Sequence, residues 1–271
     1  MSIGFFGCNF KCDFCQNFDI SFCKGSNAEK KLIGVEEVSP KKFVDFAVEE
    51  NAKSIAITYN EPTISVEYNL EAFKIAKKNK IGTVYVSNGY FSDKQLKELS
   101  KKNQRLYAIN IDLKSFNENF YKTTCGAELE GVLTSIKTTH KAKIHLELTT
   151  LLIPGKNDSK EELNELTKFI AEIDKNIPWH VSAFFPMHKM TNTSPTSTEE
   201  IVNAINIGKD NGLRFIYAGN VRGTNFESTF CPKCKFLLIK RNGYNTEIVG
   251  LHKEKEKTTC KNCGEKIEGI F

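Results

Sequence analysis

Seven of the nine cysteines in this chain fall into spacings that suit metal ions. Cys8, Cys12 and Cys15 form a C-x3-C-x2-C run inside Gly7–Asn17. Thiolates are soft ligands, and three on one short loop suit zinc or an iron–sulfur cluster. A closed structural site takes four protein ligands, whereas an open site leaves one position free for chemistry. A zinc or disulfide loop is the competing reading of the run. Cys23 breaks the local spacing and is incidental to it. Near the C-terminus, Cys231-Pro-Lys-Cys234 and Cys260-Lys-Asn-Cys263 are two C-x2-C knuckles separated by 25 residues. Four thiolates in two such turns make a closed tetrahedral site for Zn²⁺, a zinc-ribbon-like arrangement. Rubredoxin-like iron uses the same knuckles. Phe236–Lys240 and Thr246–Leu251 are expected as hairpin strands turning at Asn242-Gly243. A segment of about 40 residues is too small for an adequate core, so the metal would supply its folding energy.

Between the two cysteine sets the chain alternates short β-branched runs with amphipathic ones. Strands are expected over Ser2–Phe6, Ser54–Thr58, Thr83–Val86, Leu106–Ile111, Lys143–Leu152 and Trp179–Phe185, with a further short one over Arg214–Ala218. Helices lie between them. Ser39-Pro40, Ser92, Asp158-Ser159 and Ser197 or Thr198 serve as N-terminal caps. Apolar stripes such as Leu163, Leu166, Phe169 and Ile173 face inward. Asp19–Val38 reads as surface connection. Strands alternating with helices of 10–15 residues imply βαβ units and a parallel sheet, in a partial barrel or an open doubly wound form. From Phe230 the helical period disappears, which sets expected domains of 1–228 and 229–271.

In parallel α/β barrels functional residues cluster at the carboxyl ends of strands. Asn60-Glu61-Pro62 follows the second strand, Ser87-Asn88-Gly89 the third and Asp112-Leu113-Lys114 the fourth. Asp112 and Lys114, two residues apart on a strand, point to one face. The bland readings are a helix N-terminal acid for Glu61, a plain turn for Ser87 and Asn88, and a surface ion pair for Asp112–Lys114. His180 lies on the sixth strand and His188 just beyond it; each could be a ligand contact or a structural histidine. Cys125 is a candidate catalytic thiol or a small buried residue.

Composition narrows the classes. With 38 basic and 33 acidic residues the net charge is +5, and only four of the basic residues are arginine. No basic block of five or more appears, so a Lys-rich solvated surface accounts for the charge better than a nucleic-acid footprint. An odd cysteine count in metal-like spacings argues for a reducing compartment. With no signal-peptide pattern and no apolar run near 18 residues, a soluble cytoplasmic protein without membrane contact is expected.

The Cys8–Cys15 run, with Phe14 before its last cysteine, resembles the cluster loop of the radical S-adenosylmethionine (radical SAM) family. That resemblance implies a (β/α)6 partial TIM-type barrel and a [4Fe-4S] cluster on Cys8, Cys12 and Cys15. It places S-adenosylmethionine on the fourth iron and Phe14 by the adenine. It also implies reductive cleavage to a 5′-deoxyadenosyl radical. Asn60-Glu61-Pro62 is similar to the Gly-Gly-Glu-Pro of glycyl-radical-activating members, with Tyr59-Asn60 in place of the glycines. Ser87-Asn88-Gly89 is similar to their Thr-Asn-Gly, although Val86 stands where they carry an acid. Asp112-Leu113-Lys114 is similar to their Asp-Ile-Lys, and Pro186-Met187-His188 to their Pro-x-His. These residues, with His180, are thereby implied as SAM contacts. Thr58–Thr63, Cys125-Gly-Ala127, Thr149–Gly155, Pro178-Trp-His180 and Gly219-Asn-Val221 resemble more narrowly the radical SAM protein of the AmmeMemoRadiSam system, a relative of pyruvate formate-lyase activating enzymes. The implied partners are a one-electron reductant such as a ferredoxin or flavodoxin and a protein substrate or Memo- or AMMECR-type protein. A non-catalytic metal-binding adaptor and an electron carrier are the rivals from other classes.

Overall fold

The computed structural model describes residues 1–23, 35–102, 105–221, 225–243, 245–255 and 257–269. The connection expected over Asp19–Val38 therefore lies mostly outside the described residues. The strands β1 (Ser2–Ile3), β2 (Ser54–Ile57), β3 (Gly82–Ser87), β4 (Ala108–Asp112), β5 (His145–Leu152), β6 (Trp179–Ala183) and β7 (Ile216–Gly219) follow one another in a single sheet in chain order, and the pairings recorded within it are parallel. The α/β expectation holds, with β7 as a seventh, terminal strand. The chain divides into two compact units, Met1–Leu146 with Pro186–Asn192, and Glu147–Phe185 with Thr193–Phe271.

In the first unit, Ser39 caps α2 (Pro40–Glu49), its side chain accepting from the Lys42 amide with Pro40 in the first turn. Here α1 is the short turn Phe18–Ser21. Ser92 and Gln95 form a reciprocal capping box at α4 (Asp93–Leu99), which follows α3 (Val66–Lys78). Each such cap contributes about 1 kcal/mol. Strand burial alternates. In β4, Ile109 and Ile111 are buried while Ala108, Asn110 and Asp112 are half-exposed. One face of the sheet is dry and the other is open enough to carry polar groups. After β4 comes α5 (Glu118–Phe120), which runs into a π-helical turn, Tyr121–Cys125, and then α6 (Leu129–Lys141). Such turns recur at functional sites.

The first strand is shorter than expected. Ser2 and Ile3 pair with Ala56 and Ile57, and then the backbone leaves the ladder. The Asn60 side chain then takes up the Phe5 amide and the carbonyls of Phe5 and Gly7, while the Gly7 amide donates to the Ile20 carbonyl at 2.8 Å. The Phe5 amide donates to Asn60 Oδ1 at 3.1 Å, and Asn60 Nδ2 donates to the carbonyls of Phe5 and Gly7.

In the second unit, α7 (Lys160–Ile173) is capped by Ser159, and α8 (Thr198–Asp210) by a Ser197–Glu200 box. Trp179 is fully buried and donates its indole N–H to Thr150 Oγ1 at 3.0 Å, which satisfies its one polar atom. The C-terminal segment forms β8 (Thr229–Phe230), β9 (Leu237–Asn242), β10 (Asn245–Ile248), β11 (Leu251–Glu254) and β12 (Lys257–Cys260). The expected hairpin is β9–β10, with Gly243 at φ +58°. Leu251, expected to end its second strand, instead begins a second hairpin, β11–β12. Cys231, Leu238, Ile239, Leu251, Cys260 and Ile267 make a small core that also takes in Phe215 and Tyr217.

Candidate metal centres

The N-terminal cysteine loop is docked, not dangling. The Lys11 amide donates to the Cys125 carbonyl at 2.8 Å, and the Asp13 amide to the Thr124 carbonyl at 2.9 Å. Both acceptors are at the end of the π-helical turn. Gly126 closes that turn at φ +66°, and a Cβ there would stand 3.4 Å from Lys11 Cβ. From the other side, Asn88 Nδ2 donates to Asn9 Oδ1 at 2.6 Å and lies 3.9 Å from Cys8 Sγ. The Phe10 amide donates to Cys8 Sγ at 3.4 Å. Lys189 reaches Asp13, 2.8 Å between Nζ and Oδ1. Burial raises the Cys8 thiol to about 11 and also raises Cys15; Cys12 is lowered, chiefly by a hydrogen bond from Cys125.

The strand-end residues converge on this loop. Tyr59 takes a left-handed conformation, φ +72°, at the position of the first of the two glycines, so the backbone path a glycine would favour is kept without one. Glu61 is fully buried. Its Oε1 accepts from the Thr63 amide at 3.0 Å and the Ser87 hydroxyl at 2.9 Å, and its Oε2 from the Asn88 amide at 2.8 Å. Burial pushes the Glu61 carboxyl above its ordinary value, and those hydrogen bonds pull it back. The carboxylate thus staples the end of β2 to the end of β3. Gly89 completes the turn at φ +75°, where a Cβ would fall 2.5 Å from Ile111 Cγ2. On the open face of β4, Lys114 Nζ sits 2.8 Å from Asp112 Oδ2 and 5.7 Å from the centre of the Phe14 ring. Burial alone would depress this ammonium. The charges of Asp112, Cys12 and Cys125, with the Asp112 hydrogen bond, outweigh it and hold Lys114 well above its ordinary value. A retained cation beside three thiols, and N–H groups aimed at Cys8 sulfur, fit a thiolate-ligated cluster.

The C-terminal set is tighter. Cys231 Sγ and Cys263 Sγ are 3.7 Å apart, as are Cys234 Sγ and Cys260 Sγ, and all four sulfurs lie within 4.8 Å of one another. Four sulfurs at about 2.3 Å from one ion in a tetrahedron are about 3.8 Å apart, so the spacing fits a single tetrahedral ion. Lys235 (φ +61°) and Gly264 (φ +72°) hold the same left-handed position, one residue past each knuckle. Asn262 Nδ2 donates to Cys234 Sγ at 3.5 Å, and that bond is the main reason the Cys234 thiol falls to about 6. Among the described residues, Cys8, Cys12 and Cys15 do not gather this closely.

The family described as the radical SAM superfamily matches residues 2–170, more than half the chain and all of the cysteine loop. The chain belongs to the radical SAM superfamily. An uncharacterised protein of Methanocaldococcus jannaschii is 37% identical over 272 residues, covering 100% of this chain and 78% of that protein. The pyruvate formate-lyase-activating enzyme of Streptococcus mutans is 21% identical over 194 residues, 68% of this chain and 72% of that enzyme. The crystal structure of a domain of pyruvate-formate lyase-activating enzyme from Bacteroides vulgatus superposes with a TM-score of 0.53 at 20% identity, over 62% of this chain and 99% of that one. This radical SAM protein is therefore related to the pyruvate formate-lyase activating group. Membership implies a [4Fe-4S] cluster and SAM.

Within the superfamily frame, the structure gathers Phe14, Asn60, Glu61, Ser87, Asn88, Asp112 and Lys114 around the cysteine loop in the first unit. His188 is in the same unit, at φ +53°, its ring stacked on Phe18 (4.8 Å) and against Phe22. Among the described residues its buried Nε2 has no hydrogen-bond partner. His180 belongs to the second unit. It occupies the second position of β6, not its carboxyl end, with Nε2 2.7 Å from Glu147 Oε2 and its ring stacked on Tyr217. Sequence reasoning missed two participants, Asn9 and Tyr121, whose hydroxyl accepts from the Lys114 amide at 3.0 Å. Asn9 inside a cysteine run was the one available signal. Among the described residues no helix is long and apolar enough to cross a membrane.

Proposed function

We propose that this radical SAM enzyme generates a 5′-deoxyadenosyl radical that abstracts hydrogen from a protein substrate, with activation of a glycyl-radical enzyme as the specific task. The observation that carries the reading is the three-thiol loop with the Asp112–Lys114 pair beside it. Cys8, Cys12 and Cys15 hold the cluster and leave one iron for SAM. When bound, cluster and SAM supply reductive cleavage of a carbon–sulfur bond; the protein binds, orients and excludes water. Asp112 and Lys114 take the ribose hydroxyls and the SAM carboxylate. Phe14, Asn60, Glu61, Ser87, Asn88 and His188 complete the SAM site. His180, also expected as a SAM contact, pairs with Glu147. Likeness to the Streptococcus mutans activating enzyme supports the glycyl-radical task. Radical modification of another protein or of a nucleic acid is the alternative, and a Memo- or AMMECR-type protein is the partner that the narrower motifs favour. Cys231, Cys234, Cys260 and Cys263 hold Zn²⁺ in a C-terminal domain, residues 229–271, which follows the core of residues 1–228. A ferredoxin or flavodoxin in the cytoplasm delivers the electron. Anaerobic reconstitution with iron and sulfide, followed by SAM and dithionite, tests the core of this. 5′-Deoxyadenosine should form, and an intact cluster that yields none would refute it.

A further inference from the structure

A cavity of about 440 Å³ lies wholly inside the second unit, and none of the chemistry above uses it. Ile205 and Lys209 reach it from α8, one helical turn apart. Phe215, at the entry to β7, supplies another wall, and Phe226 a third, from the short 3₁₀ turn Asn225–Glu227. Its size is that of a site for a small ligand or a single large side chain.

The walls are apolar and the ionic groups are all of one sign. Lys209, Arg214 and Lys235 line the cavity, and among the described residues no carboxylate does. Arg214 is already committed, donating to Asn176 Oδ1 at 2.9 Å and to Glu265 Oε1 at 2.6 Å. Lys235 donates to the Pro232 carbonyl at 3.1 Å, which uses one of its three N–H groups. The Lys209 ammonium stands 5.9 Å from the centre of the Phe226 ring. The one guanidinium fork that could read a phosphate is thus taken, and an ammonium point charge beside an aromatic wall suits a carboxylate carried on an apolar group. The rim indicates what carries that group. Phe230 is 39% exposed there, and Phe236, whose carbonyl accepts from the amide of the lining Cys231 at 2.8 Å, is 40% exposed. A small acid inside the cavity would leave both rings in water, whereas a protein chain entering by its end would cover them.

We infer that this cavity receives the C-terminal residue of a partner protein, its aromatic or branched side chain against Phe226 and its free carboxylate on Lys209. The inference is independent of the cluster assignment. The test is an NMR titration of the full chain with acetyl-Gly-Gly-Gly-Phe, with the same peptide as its C-terminal amide, and with 3-phenylpropionate. The acid should bind roughly tenfold more tightly than the amide, the value of one charge-assisted hydrogen bond, with shifts centred on Ile205 and Phe226. Lys209→Met should bind acid and amide alike, and Phe226→Ala should weaken both. Equal affinities of acid and amide for wild type overturn the inference, as do shifts centred elsewhere or binding of neither peptide. A difference that survives in Lys209→Met overturns it too. If 3-phenylpropionate binds as tightly as the peptide acid, the cavity is a small-acid site and the protein occupant is refuted. Should a variant fail to fold, the wild-type comparison of acid with amide decides alone.

Discussion

Replacement of Glu61 separates two roles that one carboxylate could play. In Glu61→Ala the Thr63 amide, the Ser87 hydroxyl and the Asn88 amide all lose their acceptor in a site with no solvent exposure. Each unsatisfied buried donor costs about 1–3 kcal/mol, and the cavity admits some water, so a total of about 3–6 kcal/mol is expected. For a chain of this length about 2 °C of melting temperature follows each kcal/mol, a drop of roughly 6–12 °C. Glu61→Gln keeps one acceptor but turns an NH₂ toward the Asn88 amide or the Ser87 hydroxyl, so about half that loss is expected. The assay is thermal unfolding by circular dichroism, run beside SAM binding by calorimetry on the reconstituted protein. A Glu61→Ala variant that melts within 1–2 °C of wild type would refute the staple. If SAM affinity alone collapsed in that variant, the carboxylate would be a ligand contact and not a brace.

Other outcomes follow from the same geometry. Lys114→Met removes the ammonium that Asp112 holds beside Phe14; SAM affinity measured by calorimetry should fall roughly 10–100-fold, the value of a charged hydrogen bond, while the cluster's iron content is unchanged. Asn60→Ala frees the backbone of Phe5 and Gly7 and should cost about 2–3 kcal/mol in urea unfolding, with poorer iron incorporation as a second readout. Cys260→Ser should abolish binding of about one zinc per chain by elemental analysis and make 229–271 protease-sensitive, while iron content stays at the wild-type level.

Local chemistry made much of the fold legible. The serine caps at 39, 92, 159 and 197 are where their spacing predicts, because a cap answers to the three residues after it. Apolar periodicity located Leu163, Leu166 and Phe169 on the buried face of α7 for a similar reason. The first strand was misjudged because Phe5 and Gly7 find a partner 55 and 53 residues away, in an amide side chain that imitates a neighbouring strand. Glu61 was legible as an acid at a strand end, but not as a buried one, since its burial depends on the turn after β3. The cysteine sets were readable as metal ligands from spacing alone. What separates them, a tight quartet in one case and a looser trio backed by Lys114 in the other, needs distances that no spacing contains.

The small C-terminal core has a consequence for solubility. β7 is the last strand of the parallel sheet, and a terminal strand offers unpaired backbone groups to any passing chain. Phe215, just ahead of it, lies in the core that also holds Cys231 and Cys260, and Tyr217 within it bonds to Thr229 and lies beneath Arg241. If the four thiols hold a metal, its loss would therefore not only release a tail. It would strip the cover from an apolar strand end, and metal-starved protein should then leave solution as aggregates before the parallel sheet has unfolded.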